Sequence, residues 1–256
     1  MKEYKGYLID LDGTMYRGKE KIIDACEFVQ TLHQKNIPYL FVTNNSSQTP
    51  EQVSEKLRSF DIPAKPQQVF TTSQATANYI YDLKKDASVY VVGEEGIKQA
   101  LVEKGFSMKE ESPDFVVMGI DRQINYEKLA HACLAVRNGA RFISTNGDIA
   151  IPTERGLLPG NGSLTSVVTV STEVSPIFIG KPERIIMDQA LKTLGTSTND
   201  TLMIGDNYHT DILAGIHAGL DTLLVHTGVT TPRHLLELKE QPTYVVHSLK
   251  EWLDRI

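Results

Sequence analysis

Short apolar runs alternate with amphipathic stretches along nearly the whole chain of 256 residues. The runs that have the length and β-branched content of buried strands lie at 7–11, 39–42, 89–92, 115–118, 142–144, 177–179, 202–204, 222–225 and 244–246. Between them, stretches such as 22–34 and 126–137 carry apolar residues at helical spacing. This alternation predicts an α/β protein with a doubly wound, Rossmann-like parallel sheet.

Charge and composition limit the kinds of molecule that the chain is expected to bind and the compartment in which it is expected. The formal net charge is −6, whereas a protein that binds nucleic acid needs a basic face, so a nucleic-acid partner is not expected. No apolar run reaches the roughly 18 residues of a membrane span, so no membrane segment is expected either. Cys26 and Cys133 are the only cysteines, and two isolated thiols without a disulfide framework predict a cytoplasmic protein.

Four polar clusters follow predicted strands directly. They are Asp10-Leu11-Asp12-Gly13-Thr14, Thr43-Asn44-Asn45-Ser46, Gly180-Lys181-Pro182, and Gly205-Asp206-Asn207 with Asp211 close behind. Ligands of open α/β sheets bind at the carboxyl ends of the strands, and all four clusters are expected at that kind of position. Each cluster alone is typical of a turn or a helix start, and their shared position favours a functional site.

The acidic residues in these clusters suit metal binding and phosphoryl chemistry. Mg²⁺ prefers hard oxygen ligands, which the carboxylates of Asp10 and Asp206 supply. Asp10 is also a candidate nucleophile, because aspartate forms acyl-phosphate intermediates. If the backbone carbonyl of Asp12 binds the metal, its side chain remains available as a general acid and base.

The remaining polar groups are candidate ligands for a phosphoryl group. Thr43, the backbone N–H groups of Asn44 and Asn45, and the ammonium group of Lys181 are donors of the kind that stabilise phosphoryl oxygens. A P-loop is excluded, because Glu20 stands where that motif needs a hydroxyl ligand for Mg²⁺. An EF-hand beginning at Asp10 is excluded too, because its last position is Lys21 instead of glutamate.

The segments DLDGTMYRG, TNNSSQTP, TNGDIAIPTERGLLPGNG and IGKP together resemble the haloacid-dehalogenase superfamily. Within it they are similar to the NagD-type branch of para-nitrophenyl-phosphatase-like enzymes. The resemblance implies roles for the following residues: Asp10 as nucleophile, Asp12 as general acid/base, Thr43 and Lys181 as phosphate ligands, Asp206 as Mg²⁺ ligand, and Asn207 and Asp211 as supports of that ligand. Asp148, in the TNGD segment, either faces the site or only closes a turn.

The spacing of the clusters predicts an insertion. Thr43 and Lys181 are 138 positions apart, which is enough for several βα units beyond the catalytic core. We therefore expect a core formed by residues 1–78 and 180–256, and an inserted α/β cap domain at 79–179. The resemblance implies that this cap selects the substrate and shields the site from water.

The predicted function is Mg²⁺-dependent hydrolysis of a small phosphomonoester through an aspartyl-phosphate. Two alternatives remain at this point: a phosphotransferase or phosphomutase on the same scaffold, and a non-catalytic binding protein that kept the fold. The substrates implied by the resemblance are sugar phosphates, nucleoside monophosphates, phosphoglycolate and pyridoxal phosphate. The resemblance is also compatible with a homodimer formed through the cap.

Overall fold

Two sheets flanked by helices organise the computed structural model, which describes residues 2–256. The strands are β1 (Gly6–Ile9), β2 (Tyr16–Arg17), β3 (Glu20–Lys21), β4 (Tyr39–Thr43), β5 (Val69–Thr71), β6 (Ser88–Val92), β7 (Ser107–Met108), β8 (Phe115–Met118), β9 (Arg141–Ser144), β10 (Ala150–Thr153), β11 (Gly156–Pro159), β12 (Ile177–Phe178), β13 (Thr201–Gly205), β14 (Asp221–Val225) and β15 (Tyr244–Val246). The α-helices are α1 (Ile23–Gln34), α2 (Pro50–Ser59), α3 (Thr72–Leu83), α4 (Glu95–Glu103), α5 (Tyr126–Arg137), α6 (Asn161–Thr172), α7 (Arg184–Leu194), α8 (Leu213–Ala218) and α9 (Pro232–Leu235).

The chain forms two compact units, and it passes between them more than once. The first unit contains the described residues up to Thr43, together with Glu51–Phe70 and Lys181–Ile256. The second unit contains Asn44–Pro50 and Thr71–Gly180. The domain boundaries expected from the sequence, at 78/79 and 179/180, stay a prediction.

The sheet of the first unit has the strand order β15-β14-β13-β1-β4-β5. Strand β1 lies near its centre and pairs in parallel with both β13 and β4. Every residue of β1, β4 and β13 is buried, as expected for a parallel sheet that is covered by helices on both faces. The α/β fold class with a doubly wound parallel sheet is therefore confirmed.

Helix α1 shows how the sequence covers this sheet. Its buried residues Ala25, Phe28, Val29 and Leu32 recur at helical spacing and form one apolar face. That face joins the core that lies against the strands, where the Phe28 ring meets the Tyr7 ring edge-on at 5.6 Å. The packing fixes strand β1, and with it the position of the residues that follow Ile9.

The sheet of the second unit has the order β12-β9-β8-β6-β7, and its pairs are parallel. Strand β12 lies at the end of the segment expected to form the inserted cap, and it pairs with β9 in this second sheet. Lys181 follows it closely in the chain and belongs to the first unit. The apolar run at 177–179 is only a few residues long, and nothing in its composition specifies which sheet it joins.

Residues 44–50 lie at the carboxyl edge of this second sheet. The first turn of α4 donates the N–H groups of Gly96 and Ile97 to the carbonyls of Ser47 and Ser46, both at 3.0 Å. The N–H of Ile120, after β8, donates to the Ser46 hydroxyl at 3.1 Å. In an open sheet such backbone N–H groups are free to bind a ligand, but here they donate to residues 46 and 47 of the same chain.

No α-helix among residues 2–256 combines the length and the apolar character that crossing a bilayer requires. Cys26 is buried and Cys133 is half-buried, and both are free thiols.

Candidate active site

Lys181 connects two carboxylates and a strand end in the first unit. Asp10 follows β1 directly, and its Oδ1 accepts a hydrogen bond from Lys181 Nζ at 2.5 Å. The same ammonium group donates to Asp211 Oδ1 at 2.7 Å and to the carbonyl of Val42, in β4, at 3.0 Å. Lys181 is 2% exposed and Asp10 is 8% exposed, so this ion-pair network lies almost wholly out of water.

Asp206 follows β13 and faces Asp10 across the hydroxyl of Thr14. Thr14 Oγ1 lies 3.2 Å from Asp10 Oδ2 and 3.2 Å from Asp206 Oδ1. The other oxygen of Asp206 accepts the N–H of Val229 at 2.6 Å. Gly13 has a φ of +88°, and a Cβ there would lie 2.4 Å from Asp206 Oδ2, so the close approach requires glycine.

Asp211 reaches the site from a π-helical turn at Tyr208–Ile212 that precedes α8. Its Oδ2 accepts the backbone N–H of Asn207 at 3.0 Å. The side chain of Asn207 accepts the N–H of His209 at 3.0 Å and thereby caps the turn. Asn207 thus supports Asp211 through its backbone and the turn through its side chain.

Asp10, Asp206 and Asp211 form a buried cluster in which one oxygen of each lies within 4.8 Å of the others. Burial, together with repulsion by Asp10 and Asp211, raises the pKa of Asp206 to about 8. Burial and repulsion by Asp10 also raise the pKa of Asp211 to about 6. A divalent cation would relieve this repulsion, and an oxygen-only donor set fits a hard ion such as Mg²⁺.

Burial acts in opposite directions on the two members of the central ion pair. It raises the pKa of Asp10, and the charge and hydrogen bond of Lys181 oppose that rise. Burial would lower the pKa of Lys181, but the nearby charges of Asp10 and Asp211 outweigh it, so this pKa is raised overall. The ammonium group therefore remains protonated throughout the physiological range.

Asp12 differs from the other carboxylates because its side chain is exposed. It lies outside the three-carboxylate cluster. The surrounding protein displaces part of the water around this carboxyl group, and this desolvation raises its pKa. The charges of Lys56 and Lys181 and a hydrogen bond from Tyr16 oppose that rise. An accessible carboxyl group with a raised pKa is suited to exchange protons with a bound molecule.

The predicted phosphate ligands divide between the two units. Thr43 is the last residue of β4, is buried, and belongs with Asp10 and Lys181 to the first unit. Asn44 and Asn45 follow it in the chain but belong to the second unit. There the side-chain oxygen of Asn45 accepts the N–H groups of Ser47 at 2.9 Å and Gln48 at 3.0 Å, which closes a turn.

Sequence reasoning assigned no role to Thr14 or Val229. Thr14 stands inside the first polar cluster, and its position after the carboxylates was the available signal. Val229 contributes only a backbone N–H, which no residue type reveals. Asp211, which was predicted to support the ligand Asp206, lies in the same carboxylate cluster, and its supporting role stays a prediction.

The geometry thus presents a buried carboxylate held by an ammonium group, next to a carboxylate cluster suited to a hard cation. Residues 7–107 match the model of the family described as haloacid dehalogenase-like hydrolase, and residues 178–252 match a second model of hydrolases of this kind. The chain belongs to the haloacid dehalogenase-like hydrolase family. In this hydrolase the first matched segment contributes Asp10 to the cluster, and the second contributes Asp206 and Asp211.

Similar proteins with phosphatase names support this assignment. The chain is 69% identical to the 5′-nucleotidase YutF of Bacillus subtilis strain 168 over the full length of both. It is 56% identical to an acid sugar phosphatase of Staphylococcus aureus strain USA300, covering 98% of this chain and 97% of that protein. A solved structure titled as a putative p-nitrophenyl phosphatase from Bacillus subtilis superposes with a TM-score of 0.92 at 68% identity, covering 99% of this chain and 96% of that one. This hydrolase is therefore an enzyme of the family's phosphatase branch.

Proposed function

We propose that this phosphatase hydrolyses a small phosphomonoester in a Mg²⁺-dependent reaction that passes through an aspartyl-phosphate on Asp10. The observation that carries the proposal is the buried Asp10 carboxylate, held by Lys181 beside Asp206 and Asp211. A carboxylate in this setting is positioned by its neighbours and protected from bulk water, as a nucleophile requires.

Two steps account for the reaction. In the first, a carboxylate oxygen of Asp10 forms a bond to phosphorus while the bond from phosphorus to the leaving oxygen breaks, and Asp12 gives that oxygen its proton. In the second, Asp12 takes a proton from water as the water oxygen bonds to phosphorus, and the bond between phosphorus and Asp10 breaks. The exposed side chain of Asp12 is consistent with access to both the leaving group and water.

The residues that would hold Mg²⁺ are Asp10 and Asp206 through their carboxylates and Asp12 through its backbone carbonyl, and Asp211 and Asn207 would support these ligands. A bound Mg²⁺ supplies positive charge that favours a phosphoryl group beside these acids. Thr43, the backbone N–H groups of Asn44 and Asn45, and Lys181 are the proposed donors to the phosphoryl oxygens.

The substrate class is that of small phosphomonoesters. Names of similar proteins point to two subclasses, nucleotides and sugar phosphates. The net charge of −6 supports a small-molecule substrate and no nucleic-acid partner. We also propose a cytoplasmic location, which the two free thiols support, and a homodimer formed through residues 79–179.

Substitution of the nucleophile tests the proposal. The wild-type protein is expected to release phosphate from a panel of nucleoside monophosphates, sugar phosphates and p-nitrophenyl phosphate in Mg²⁺, and to stop in EDTA. Asp10→Asn should lower kcat by about a thousandfold or more, since the amide is a poor nucleophile. The matched control is Asp188→Asn on α7, which removes an exposed carboxylate paired with Arg184.

A trapping experiment separates the intermediate from direct attack by water. Borohydride added during turnover should convert the phosphorylated residue 10 into homoserine, detectable by peptide mass spectrometry. Near-normal activity of Asp10→Asn would refute the mechanism. Transfer of the phosphoryl group to an added alcohol, without release of phosphate, would identify a phosphotransferase instead.

A further inference from the structure

The loop Thr145–Asp148, which follows β9 in the second unit, contacts two segments that lead to the predicted phosphate ligands. Its Asn146 side chain donates to the carbonyl of Asn44 at 2.8 Å. Its Thr145 carbonyl accepts the N–H of Gly180 at 2.8 Å. Asn44 directly follows Thr43, and Gly180 directly precedes Lys181, so one loop holds the chain next to both.

The loop is itself held in place by buried polar groups. Asn161, at the start of α6, is 1% exposed and donates to the carbonyl of Asn146 at 2.9 Å. The side-chain oxygen of Asn146 accepts the N–H of Asp148 at 3.1 Å. A buried donor of this kind is costly to leave unpaired, so these contacts fix the loop and its carboxylate.

Asp148 reaches Asn44 with both carboxylate oxygens. Asn44 Nδ2 lies 3.3 Å from Asp148 Oδ1 and 3.2 Å from Asp148 Oδ2. The oxygen end of the Asn44 side chain lies close to the backbone of Gly180, since a Cβ at Gly180 would lie 2.5 Å from Asn44 Oδ1. The Asn44 side chain is therefore confined between a carboxylate and a glycine backbone.

A carboxylate is a poor direct ligand for a phosphate dianion, because like charges repel. The useful contact of Asp148 is therefore the one with Asn44, whose backbone is held at the same time through its carbonyl. We propose that Asp148 is a positioning residue, which orients the backbone N–H of Asn44 for the phosphoryl group by clamping the Asn44 side chain. This inference rests on the proposed function, in which that N–H group donates to phosphate.

The proposal predicts that substitution of Asp148 weakens binding of the phosphoryl group, which is the part that all phosphomonoesters share. Asp148→Ala should raise KM for every phosphomonoester, and Ki for inorganic phosphate, by one common factor of about ten, the effect of one charge-assisted hydrogen bond. Asp148→Asn keeps an oxygen that can accept from Asn44, so it should remain within about threefold of wild type. Asn44→Ala should match Asp148→Ala, and the double variant should be no worse than either.

Asp114→Ala is the matched control, because Asp114 is an acid of the same unit that accepts hydrogen bonds from Ser88 and Lys84 before β8. It should lower stability without changing Ki for phosphate. Hydrogen exchange at the Asn44 amide, measured on the folded proteins, should accelerate in Asp148→Ala and not in Asp114→Ala.

Three results would overturn the positioning role. Unequal factors among substrates would place Asp148 against the leaving group. Unchanged Ki and unchanged exchange at Asn44, with only a lower Tm, would reduce it to a structural residue. Tighter phosphate binding in Asp148→Ala would show that its charge acts directly. Failure of the proposed function looks different, because wild type itself would then hydrolyse none of the panel.

Discussion

At the scale of single residues, one ammonium group holds three parts of the first unit together. Lys181 donates to Asp10 after β1, to Asp211 before α8, and to the carbonyl of Val42 in β4. Because all three acceptors are out of water, each would carry a large desolvation cost if the ammonium group were absent. Lys181 therefore combines a structural role with its proposed contact to phosphate.

Lys181→Ala should consequently lower both stability and activity. Removing one partner of a buried ion pair costs about 3–5 kcal/mol, so the free energy of unfolding in EDTA should fall by roughly that amount. The measurement is urea denaturation with and without Mg²⁺, and Mg²⁺ should restore part of the loss because it also neutralises the two acids. Lys192→Ala, at an exposed position of α7, is the control and should change stability by no more than about 0.5 kcal/mol. Equal stability of the two variants in EDTA would contradict this account.

Single residues of the site were predictable where a strand end determined their position. Asp10 and Asp206 follow neighbouring buried strands, and the rule for parallel sheets is enough to expect them close together. The contact between Asn44 and Asp148 was not predictable in the same way. It joins residues 104 positions apart in the chain, through a second sheet whose strand order the apolar pattern does not specify.

At the scale of elements, Asp114 ties the amino ends of two neighbouring strands of the second unit. Its Oδ2 accepts the N–H of Ser88, the first residue of β6, at 2.8 Å, and its Oδ1 accepts Lys84 Nζ at 2.7 Å. The hydrogen bond from Lys84, followed by that from Ser88, lowers the pKa of Asp114 to about 2. The ionised form is thus favoured in the folded protein, and stability should depend on it.

Asp114→Asn should lower the free energy of unfolding by about 1 kcal/mol at neutral pH, because a charge-assisted hydrogen bond becomes a neutral one. An acid whose folded pKa is depressed contributes fully above its unfolded value and loses that contribution as pH falls. The difference between wild type and variant should therefore be constant above pH 4 and shrink toward pH 2. Urea denaturation followed by circular dichroism at several pH values checks this, with Asp82→Asn on α3 as the exposed control. A difference that grows on acidification would contradict it.

Long elements were easier to predict than short ones. The helix over 126–137 and the strand over 115–118 match the structure residue for residue. The helix has several turns of periodic apolar residues, and the strand is a continuous apolar run. The hairpin of β2 and β3 was missed, since strands of two residues have no measurable alternation. The π-helical turn before α8 was not predicted either, although Asn207 caps it and it carries Asp211 to the cluster.

At the scale of the whole molecule, the acidic charge is unevenly placed. Residues 79–179 carry ten basic and thirteen acidic side chains, and the rest of the chain carries sixteen basic and nineteen acidic ones. Four of those nineteen are Asp10, Asp12, Asp206 and Asp211. Without them, the rest of the chain has a slight positive excess, so its acid surplus coincides with the candidate site.

This distribution predicts that phosphate binding itself depends on the metal. Above the pKa values of Asp206 and Asp211, both of these carboxylates are ionised within 4.8 Å of Asp10, and together they repel a phosphate dianion. Unit charges about 4 Å apart interact by roughly 4 kcal/mol at an effective dielectric constant near 20, so the repulsion is large. Calorimetric titration with inorganic phosphate at pH 9 should give at least about tenfold weaker binding in EDTA than in Mg²⁺.

The control for this titration removes a carboxylate charge from the site and is measured in EDTA, without Mg²⁺. Asp206→Asn removes one repelling charge, so in EDTA it should bind phosphate more tightly than wild type does, while gaining less from Mg²⁺ because a ligand is lost. If the metal acted only by shaping the site, the variant would bind phosphate in EDTA no better than wild type. Tight binding by wild type in EDTA would show that the donors alone overcome the carboxylates, and that the acid surplus does not govern phosphate binding.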